Sequence, residues 1–187
     1  MSDAASGIFV ASTPAASFVR VVGRGVFRNS QPLRQFGQRV LQDGCKHICV
    51  DLAQCPGMDS TFLGVLAGFG LALRQSGSLS VLHVSERNLQ ALLSVGLDRL
   101  ARLDPVNPDP LVLSPPDDIE FHKLPGSDLQ APSQGADTQE TAQVMLECHE
   151  DLCRADERNE AKFKDVKQFL REDIARRSEK KKDAQQS

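Results

Sequence analysis

The chain has 187 residues and is 40% hydrophobic, which suffices for one core of ordinary size but argues against two full domains. Its formal net charge is −3 and its basic residues are spread along the chain, so no nucleic-acid-binding face and no block of one charge is indicated. We therefore expect one domain with an extension, and no nucleic-acid partner.

The N-terminal residues 1–16 are small and polar, and they lack the basic stretch followed by an apolar stretch that marks a secretory leader. Nowhere do about 18 apolar residues run together, which predicts no membrane insertion. The cysteines are odd in number, and some lie in strand-like sequence, where cysteine packs as a small hydrophobe. We predict a cytoplasmic protein with reduced cysteines, in which residues 1–17 form a segment outside the domain.

The predicted domain spans residues 18–104, where short β-branched runs alternate with longer helical patterns. This alternation is typical of β-α-β units and of a sheet that is at least partly parallel. The first strand is predicted to begin at Phe18. The first helix is predicted to open with Ser30 as its cap and Pro32 in its first turn, and to end at an Asp-Gly pair, residues 43–44.

Two compact apolar runs, residues 47–52 and 79–84, are predicted to be central strands buried on both faces. Residues 60–76 lie between them and predict a crossover helix. A further helix is predicted at residues 86–95 and a short last strand at residues 101–103. The predicted fold class is therefore α/β, a mixed β-sheet of four to five strands packed with helices.

The remainder of the chain is predicted to be a linker and a helical extension. Prolines among Asp, Asn and Ser cannot continue a sheet or helix, which predicts a linker at residues 105–137. Residues 138–187 are rich in Ala, Glu, Lys, Arg and Leu, which predicts one long helix or two shorter ones. A stripe at helical spacing comprises Phe163, Val166, Leu170 and Ile174. Two roles stay open for this extension, a homodimer through its helix or a cover over the domain.

An acid and two hydroxyls, Asp59, Ser60 and Thr61, stand where a loop is predicted to enter the crossover helix. The first turn of a helix leaves backbone N–H groups unpaired and carries partial positive charge, so Asp59 or Ser60 is suited to cap it. Ser, Thr and Asp are the usual capping residues. Taken alone, the motif therefore predicts a helix cap.

The same motif also resembles a known family. Residues 58–61, Met-Asp-Ser-Thr, followed by Leu-Gly-Val-Leu at 63–66, resemble the Asp-Ser-(Ser/Thr)-Gly-Leu-Gly motif of STAS anti-sigma factor antagonists. Gly-Arg at 23–24 and Pro-Leu-Arg at 32–34 resemble the strand end and the helix opening of that family. The resemblance covers residues 18–104 and implies a STAS-like fold with a role in bacterial signal transduction.

In that family a switch serine kinase phosphorylates the first hydroxyl after the Asp, so the resemblance implies Ser60 as the phosphoacceptor and Thr61 as the alternative. It implies protein partners, namely an anti-sigma factor or the kinase, and a phosphatase. It further implies a regulator of transcription that is not an enzyme and needs no cofactor. Phe62 takes the place of the motif's Gly, so a large side chain is expected either in the core or on the surface that a kinase meets.

A phosphate on Ser60 is expected to act as a charge switch. The domain tolerates it, because a helix N-terminus favours negative charge. Against a partner, about two negative charges must be desolvated or face like charge, and a few kcal/mol of such cost shifts binding by orders of magnitude. The unphosphorylated protein is expected to bind its partner and the phosphorylated protein to release it.

The crossover helix is apolar nearly all round. One face is predicted to pack on the sheet, whereas the opposite face exceeds what one sheet covers. Surplus exposed apolar surface commonly marks a partner site, which we predict here, with cover by the C-terminal helix as the alternative. The predicted partner-binding residues are Asp59, Ser60, Thr61, Phe62, Val65 and Phe69.

Two other functions are weighed against the switch. One is a STAS scaffold or accessory subunit of a transporter or signalling complex that is not phosphorylated, in which Ser60 is only the cap. The other is an enzyme, for which the histidines are too scattered to pair with a Ser or Cys nucleophile. His149 and Cys153 lie one helical turn apart, but a metal would need further ligands, so a solvated helix face and no metal site are predicted there.

Overall fold

The computed structural model of the protein describes residues 6–104, 106, 114–129 and 139–185, with side chains described as far as residue 179. The strands are β1 (Gly7–Ser12), β2 (Ser17–Val22), β3 (His47–Gln54), β4 (Ser78–Leu82), β5 (Ala101–Leu103) and β6 (His122–Lys123). The α-helices are α1 (Phe27–Gln42), α2 (Ser60–Leu73), α3 (Glu86–Ser94), α4 (Gln139–Ala155) and α5 (Asn159–Gln185). The predicted α/β class with a helical C-terminal extension is confirmed.

The sheet contains six strands in the order β5-β4-β3-β2-β1-β6. Strands β2 to β5 run parallel to one another, whereas β1 pairs antiparallel with both β2 and β6. As predicted, α2 is the crossover helix between the parallel neighbours β3 and β4. The expected four to five strands become six because β1 and β6 extend the antiparallel side of the sheet.

Strand β1 lies in a segment that the sequence pattern places outside the sheet. Its sequence, Gly-Ile-Phe-Val-Ala-Ser, contains four consecutive apolar residues, which is the shortest run typical of a strand. The turn into β2 helps to fix it, because the Thr13 hydroxyl accepts hydrogen bonds from the backbone N–H groups of Ala15 and Ala16. Pairing with β2 then aligns all of β1 in register, from Gly7 opposite Val22 onwards.

Helix α1 begins three residues before its predicted cap. Ser30 lies buried within the helix, and its hydroxyl donates to the Val26 carbonyl oxygen at 2.9 Å. The Asn29 side chain accepts from the Val26 backbone N–H at 2.9 Å, which fixes the start of the helix at Phe27. Its end at Gln42 agrees with the predicted Asp-Gly stop.

The predicted Pro-rich linker contributes ordered contacts where it is described. Ile119 and Phe121 pack on Phe18 and Cys49, on the sheet face opposite to the main core. The Arg20 guanidinium stacks over the Phe121 ring at 4.2 Å from its centroid. Proline excludes a long strand from this segment, but it leaves room for the two residues of β6.

The extension forms two helices that pack on each other. Ala142, Leu146 and Leu170 form a small apolar cluster of their own between α4 and α5. The turn between the helices is tied to the end of α3, because the buried Asn159 amide donates to the Leu152 and Val95 carbonyl oxygens at 2.7 and 3.0 Å. None of the helices in the described ranges combines the length and apolar character needed to cross a membrane.

Candidate functional site

Asp59 is the N-cap of α2 and joins the starts of two helices. Its Oδ1 accepts a hydrogen bond from the Phe62 backbone N–H at 2.9 Å, and its Oδ2 accepts from the Phe27 backbone N–H at 2.8 Å. One carboxylate thus satisfies a first-turn amide of α2 and the first amide of α1. The predicted cap is therefore Asp59, and the Ser60 hydroxyl is left for another partner.

The two hydroxyls of the motif lie in different environments. Ser60 is the first residue of α2 and is half-buried, whereas Thr61 is only 3% exposed. The Ser60 Oγ lies 3.0 Å from Nε2 of His149, a residue of α4. The motif therefore meets the C-terminal extension directly.

The hydrogen bonds of His149 define its proton arrangement. Its Nδ1 lies 2.7 Å from the Met145 carbonyl oxygen, which can only accept, so Nδ1 carries the hydrogen. In the neutral ring Nε2 is then an acceptor, and the Ser60 hydroxyl donates to it. His149 is only 2% exposed, and the Phe163 ring of α5 meets it edge-on at 5.1 Å between centroids.

The environment of His149 favours the uncharged ring. Burial lowers the pKa of His149 below its ordinary value of 6.5, although the Met145 carbonyl and the Asp59 charge act in the opposite direction. As the pH falls, the unfolded chain therefore takes up a proton before the folded protein does. The stability contributed by neutral His149 is complete above about pH 6.5 and is lost as the pH falls through the lowered folded pKa.

This linkage gives a testable pH dependence. Below about pH 6.5, the free energy of unfolding should fall more steeply for the wild type than for His149→Gln, by at most about 1.4 kcal/mol per pH unit. Urea denaturation of both proteins across a pH series measures the difference. Parallel profiles for the two proteins would mean that His149 is not held neutral by the fold.

Helix α4 approaches α2 closely on the face that carries Ser60, Gly64 and Gly68, which are four residues apart. A Cβ atom on Gly64 would collide with the Cys148 backbone carbonyl. At Gly68 a Cβ atom would meet Oδ2 of Asp151 at 2.8 Å, the oxygen that accepts from Arg34, and would not touch the α4 backbone. The absence of a side chain at Gly64 therefore lets the α4 backbone lie directly against α2.

Polar pairs surround this helix contact. The Arg34 guanidinium of α1 binds the Glu147 carboxylate at 2.8 Å and the Asp151 carboxylate at 3.2 Å. Asp151 also accepts from Arg154 at 3.1 Å. These pairs connect α1 to α4 across the edge of the contact and leave Asp151 compensated where it is buried.

The apolar face predicted to be exposed is buried. Phe62 is 0% exposed, and Val65 and Phe69 are also buried in the main core. This corrects the expectation of a surplus apolar surface on α2, because Phe62 packs against Gly25 and Phe69 against Gly37 of α1. Cover by the C-terminal extension, the alternative, is observed on the neighbouring face of α2, where Gly64 meets α4.

The expected solvated face around His149 and Cys153 is also wrong. Both residues are buried, as is Cys148, because this side of α4 faces α2 and α5. Burial raises the pKa of the Cys148 thiol to about 12, so this thiol is inert as a nucleophile. The described ranges hold no cluster of three or more His, Cys, Asp and Glu side chains placed to bind a metal ion.

His149 is the site residue that the sequence did not identify. The structure brings it to Ser60 from 89 positions away, and chain spacing carries no information about such a contact. One pattern marked its helix face, because Ala142, Leu146, His149 and Leu152 follow at helical intervals. A histidine within an apolar stripe indicates a buried ring, and it would have predicted a packed face instead of a solvated one.

Comparison with known protein families gives a match within the domain. The model of the family described as Mlab, STAS domain, matches residues 8–105, which is more than half of the chain. No curated protein matches the chain.

Several solved structures show a similar fold. An anti-sigma factor antagonist from Mycobacterium paratuberculosis is 22% identical over 52% of this chain and 84% of its own, with a TM-score of 0.47. Phosphorylated SpoIIAA, a Bacillus cell fate determinant, is 17% identical over 51% of this chain and 89% of its own, with a TM-score of 0.45. The anti-sigma factor antagonist SpoIIAA in its unphosphorylated form is 18% identical over 47% and 81%, with a TM-score of 0.42.

The family match includes β1 to β5 and α1 to α3, and it ends before α4 begins at Gln139. The sheet, the crossover helix and the Asp59-Ser60 corner therefore lie inside the matched range, and the covering helices lie outside it. On the match over residues 8–105, this chain belongs to the STAS domain family.

Proposed function

We propose that this chain is a cytoplasmic, protein-binding regulator of the anti-sigma factor antagonist type, switched by phosphorylation of Ser60. The observation that carries the proposal is that Asp59 and Ser60 have separate roles at the start of α2. Asp59 caps the helix and also holds the start of α1, and the Ser60 side chain takes no part in the cap. Thr61 is buried, so Ser60 is the proposed acceptor.

The proposed switch acts through charge. A phosphate on Ser60 would stand at a helix N-terminus, which favours negative charge, but next to the Asp59 carboxylate. The domain keeps its fold, and the altered charge acts on the protein that binds this corner. The partners in this proposal are an anti-sigma factor or a switch serine kinase, with a phosphatase that resets Ser60, and the chain itself performs no catalysis.

The test of the switch is phosphosite mapping by mass spectrometry on protein isolated from its own cells, in growth and in stress. The tryptic peptide of residues 47–74 contains both Ser60 and Thr61. We expect phosphate on Ser60 at an occupancy that changes between the two conditions, and none on Ser60→Ala. A fully covered peptide without phosphate in either condition would overturn the proposal.

A charge variant tests the consequence for binding. Ser60→Asp should reduce the amount of co-purified partner about tenfold, which corresponds to about 1.4 kcal/mol of lost binding free energy. Ser60→Asn is the matched control, because it has nearly the same shape without the charge and should retain the partner. Equal recovery with Asp and Asn would show that charge at this position does not control binding.

The second candidate function is a scaffold or accessory subunit that is not phosphorylated. The bond between the Ser60 hydroxyl and His149 favours it, because a hydroxyl engaged in an internal contact serves structure. In that case Ser60→Ala leaves complex formation unchanged and the mapped peptide carries no phosphate. The two experiments above therefore separate the two functions.

A further inference from the structure

We infer that the C-terminal pair α4–α5 is an internal mask over Ser60, and that α4 must leave α2 before a kinase can phosphorylate this residue. The inference rests on the proposed function, because it concerns access to the same phosphoacceptor. The extension then has a regulatory role, because the position of α4–α5 determines whether Ser60 can be phosphorylated.

The Ser60 hydroxyl is engaged at the atom that a kinase must use. Phosphorylation forms a bond between Ser60 Oγ and the γ-phosphorus of ATP while the bond from that phosphorus to the bridging oxygen of ADP breaks. The hydroxyl proton passes to the carboxylate base of the kinase. In this structure that proton is donated to His149 Nε2, so the imidazole occupies the position that the base of the kinase needs.

Helix α4 also restricts the space around Ser60. Beyond Ser60, α4 continues along α2 in backbone contact, since a Cβ atom on Gly64 would collide with Cys148. Phe163 of α5 closes the far side of His149. A kinase that needs Ser60 in an exposed chain segment therefore meets α4 beside the half-buried Ser60 side chain, with α5 behind His149.

The packing of the pair lets its two helices move together. Ala142, Leu146 and Leu170 form a cluster between α4 and α5 that is distinct from the main core, and Val166 packs against both. Polar bonds at Ser60 with His149 and at Arg34 with Glu147 and Asp151 attach the pair to the domain in addition to apolar contacts. Cys148, Leu152 and Phe163 reach into the main core, which makes the closed state the resting one.

A pair of glycine variants in the full chain tests the mask. Gly64→Ala places a methyl group against the α4 backbone, whereas Gly68→Ala meets the Asp151 carboxylate oxygen that pairs with Arg34 and does not touch the α4 backbone. Both changes favour the helical state of α2, because alanine is the better helix former. The two variants therefore differ mainly in whether they push α4 away.

Access to position 60 is measured first without any kinase. Each glycine variant is combined with Ser60→Cys, and labelling of the introduced thiol by N-ethylmaleimide is followed by mass spectrometry. We expect Gly64→Ala to speed the labelling about tenfold or more and Gly68→Ala to change it less than about threefold, because labelling of a masked group follows the population of the open form. Equal labelling rates at position 60 in all backgrounds would overturn the mask.

Phosphorylation is measured next, on the same glycine variants with Ser60 intact, isolated from their own cells. We expect higher phosphate occupancy at Ser60 in Gly64→Ala than in the wild type and in Gly68→Ala. If phosphate is found at equal levels in all three proteins and labelling rates are also equal, masking by α4–α5 is wrong while phosphorylation of Ser60 stands. Faster labelling in Gly64→Ala without phosphate in any protein keeps the mask and overturns the switch.

A second variant that should release α4 distinguishes this release from unfolding of the whole domain in Gly64→Ala. Arg34→Gln removes the two carboxylate pairs to α4 without adding bulk to the helix contact, and it should also speed labelling of the thiol introduced by Ser60→Cys. Hydrogen exchange of the β3 amides serves as the control for the folded domain. Slow exchange in β3 with fast labelling at position 60 identifies opening of α4, whereas fast exchange in β3 together with fast labelling identifies loss of the fold.

Discussion

Replacing Phe62 by alanine is expected to lower the free energy of unfolding by about 3–5 kcal/mol, the usual cost of emptying a fully buried aromatic site. The ring is completely buried and lies against the backbone of Gly25 in the main core. It stands where the family motif has glycine, and its inward position removes it from the surface that a partner meets. Urea denaturation monitored by circular dichroism measures the loss.

The matched control is Phe169→Ala. Phe169 is 60% exposed on α5, so the same truncation should cost less than about 0.5 kcal/mol. If both variants lose the same stability, the loss at Phe62 does not come from an emptied core site. If neither variant loses stability, Phe62 is not buried in the folded protein.

Asp59→Ala should destabilise the protein by about 1–4 kcal/mol, because two helix starts lose their acceptor and each loss of a capping side chain to alanine costs about 0.5–2 kcal/mol. The affected amides, those of Phe62 and Phe27, begin α2 and α1, so both helix starts weaken together. Equilibrium denaturation gives the free energy, and hydrogen exchange at the two helix starts locates the loss.

Asp59→Asn is the graded control for that prediction. The amide keeps one acceptor oxygen and presents an NH₂ group to the other backbone N–H, so it should lose at least half as much stability as alanine. A fully stable Asn variant would show that only one of the two hydrogen bonds contributes. Ser60→Ala leaves both cap bonds in place and should cost less than Asp59→Ala.

The local patterns of the sequence predicted much of the domain. Compact apolar runs indicated β3 and β4 because these strands are buried on both faces, and helical periodicity indicated α2 and α3. The motif at Asp59 also carried its own information, since a cap depends on residues close in sequence. Such elements are decided by neighbours along the chain, which a sequence shows.

The elements that escaped prediction depend on distant partners. The two residues of β6 exist through pairing with β1, which lies far away along the chain. Strand β1 is the exception, because it pairs with the next strand in a hairpin and its apolar run of four residues is a short strand signal. The start of α1 moved to Phe27 partly because Asp59, from another helix, accepts its first amide. For α1 and β6, a contact across the fold outweighs the local pattern.

The sequence by itself determined the STAS-type core and the place of Ser60 at a helix start, because periodicity, turns and caps are local. Only the tertiary structure decided what Ser60 meets. The docking of α4 on the glycine face of α2 brings His149 to its hydroxyl, and the packing of Phe69 on Gly37 of α1 buries the neighbouring apolar side. The contact between α2 and α4 joins two helices that are far apart in the sequence, and residue spacing along the chain does not show which helices will pack together.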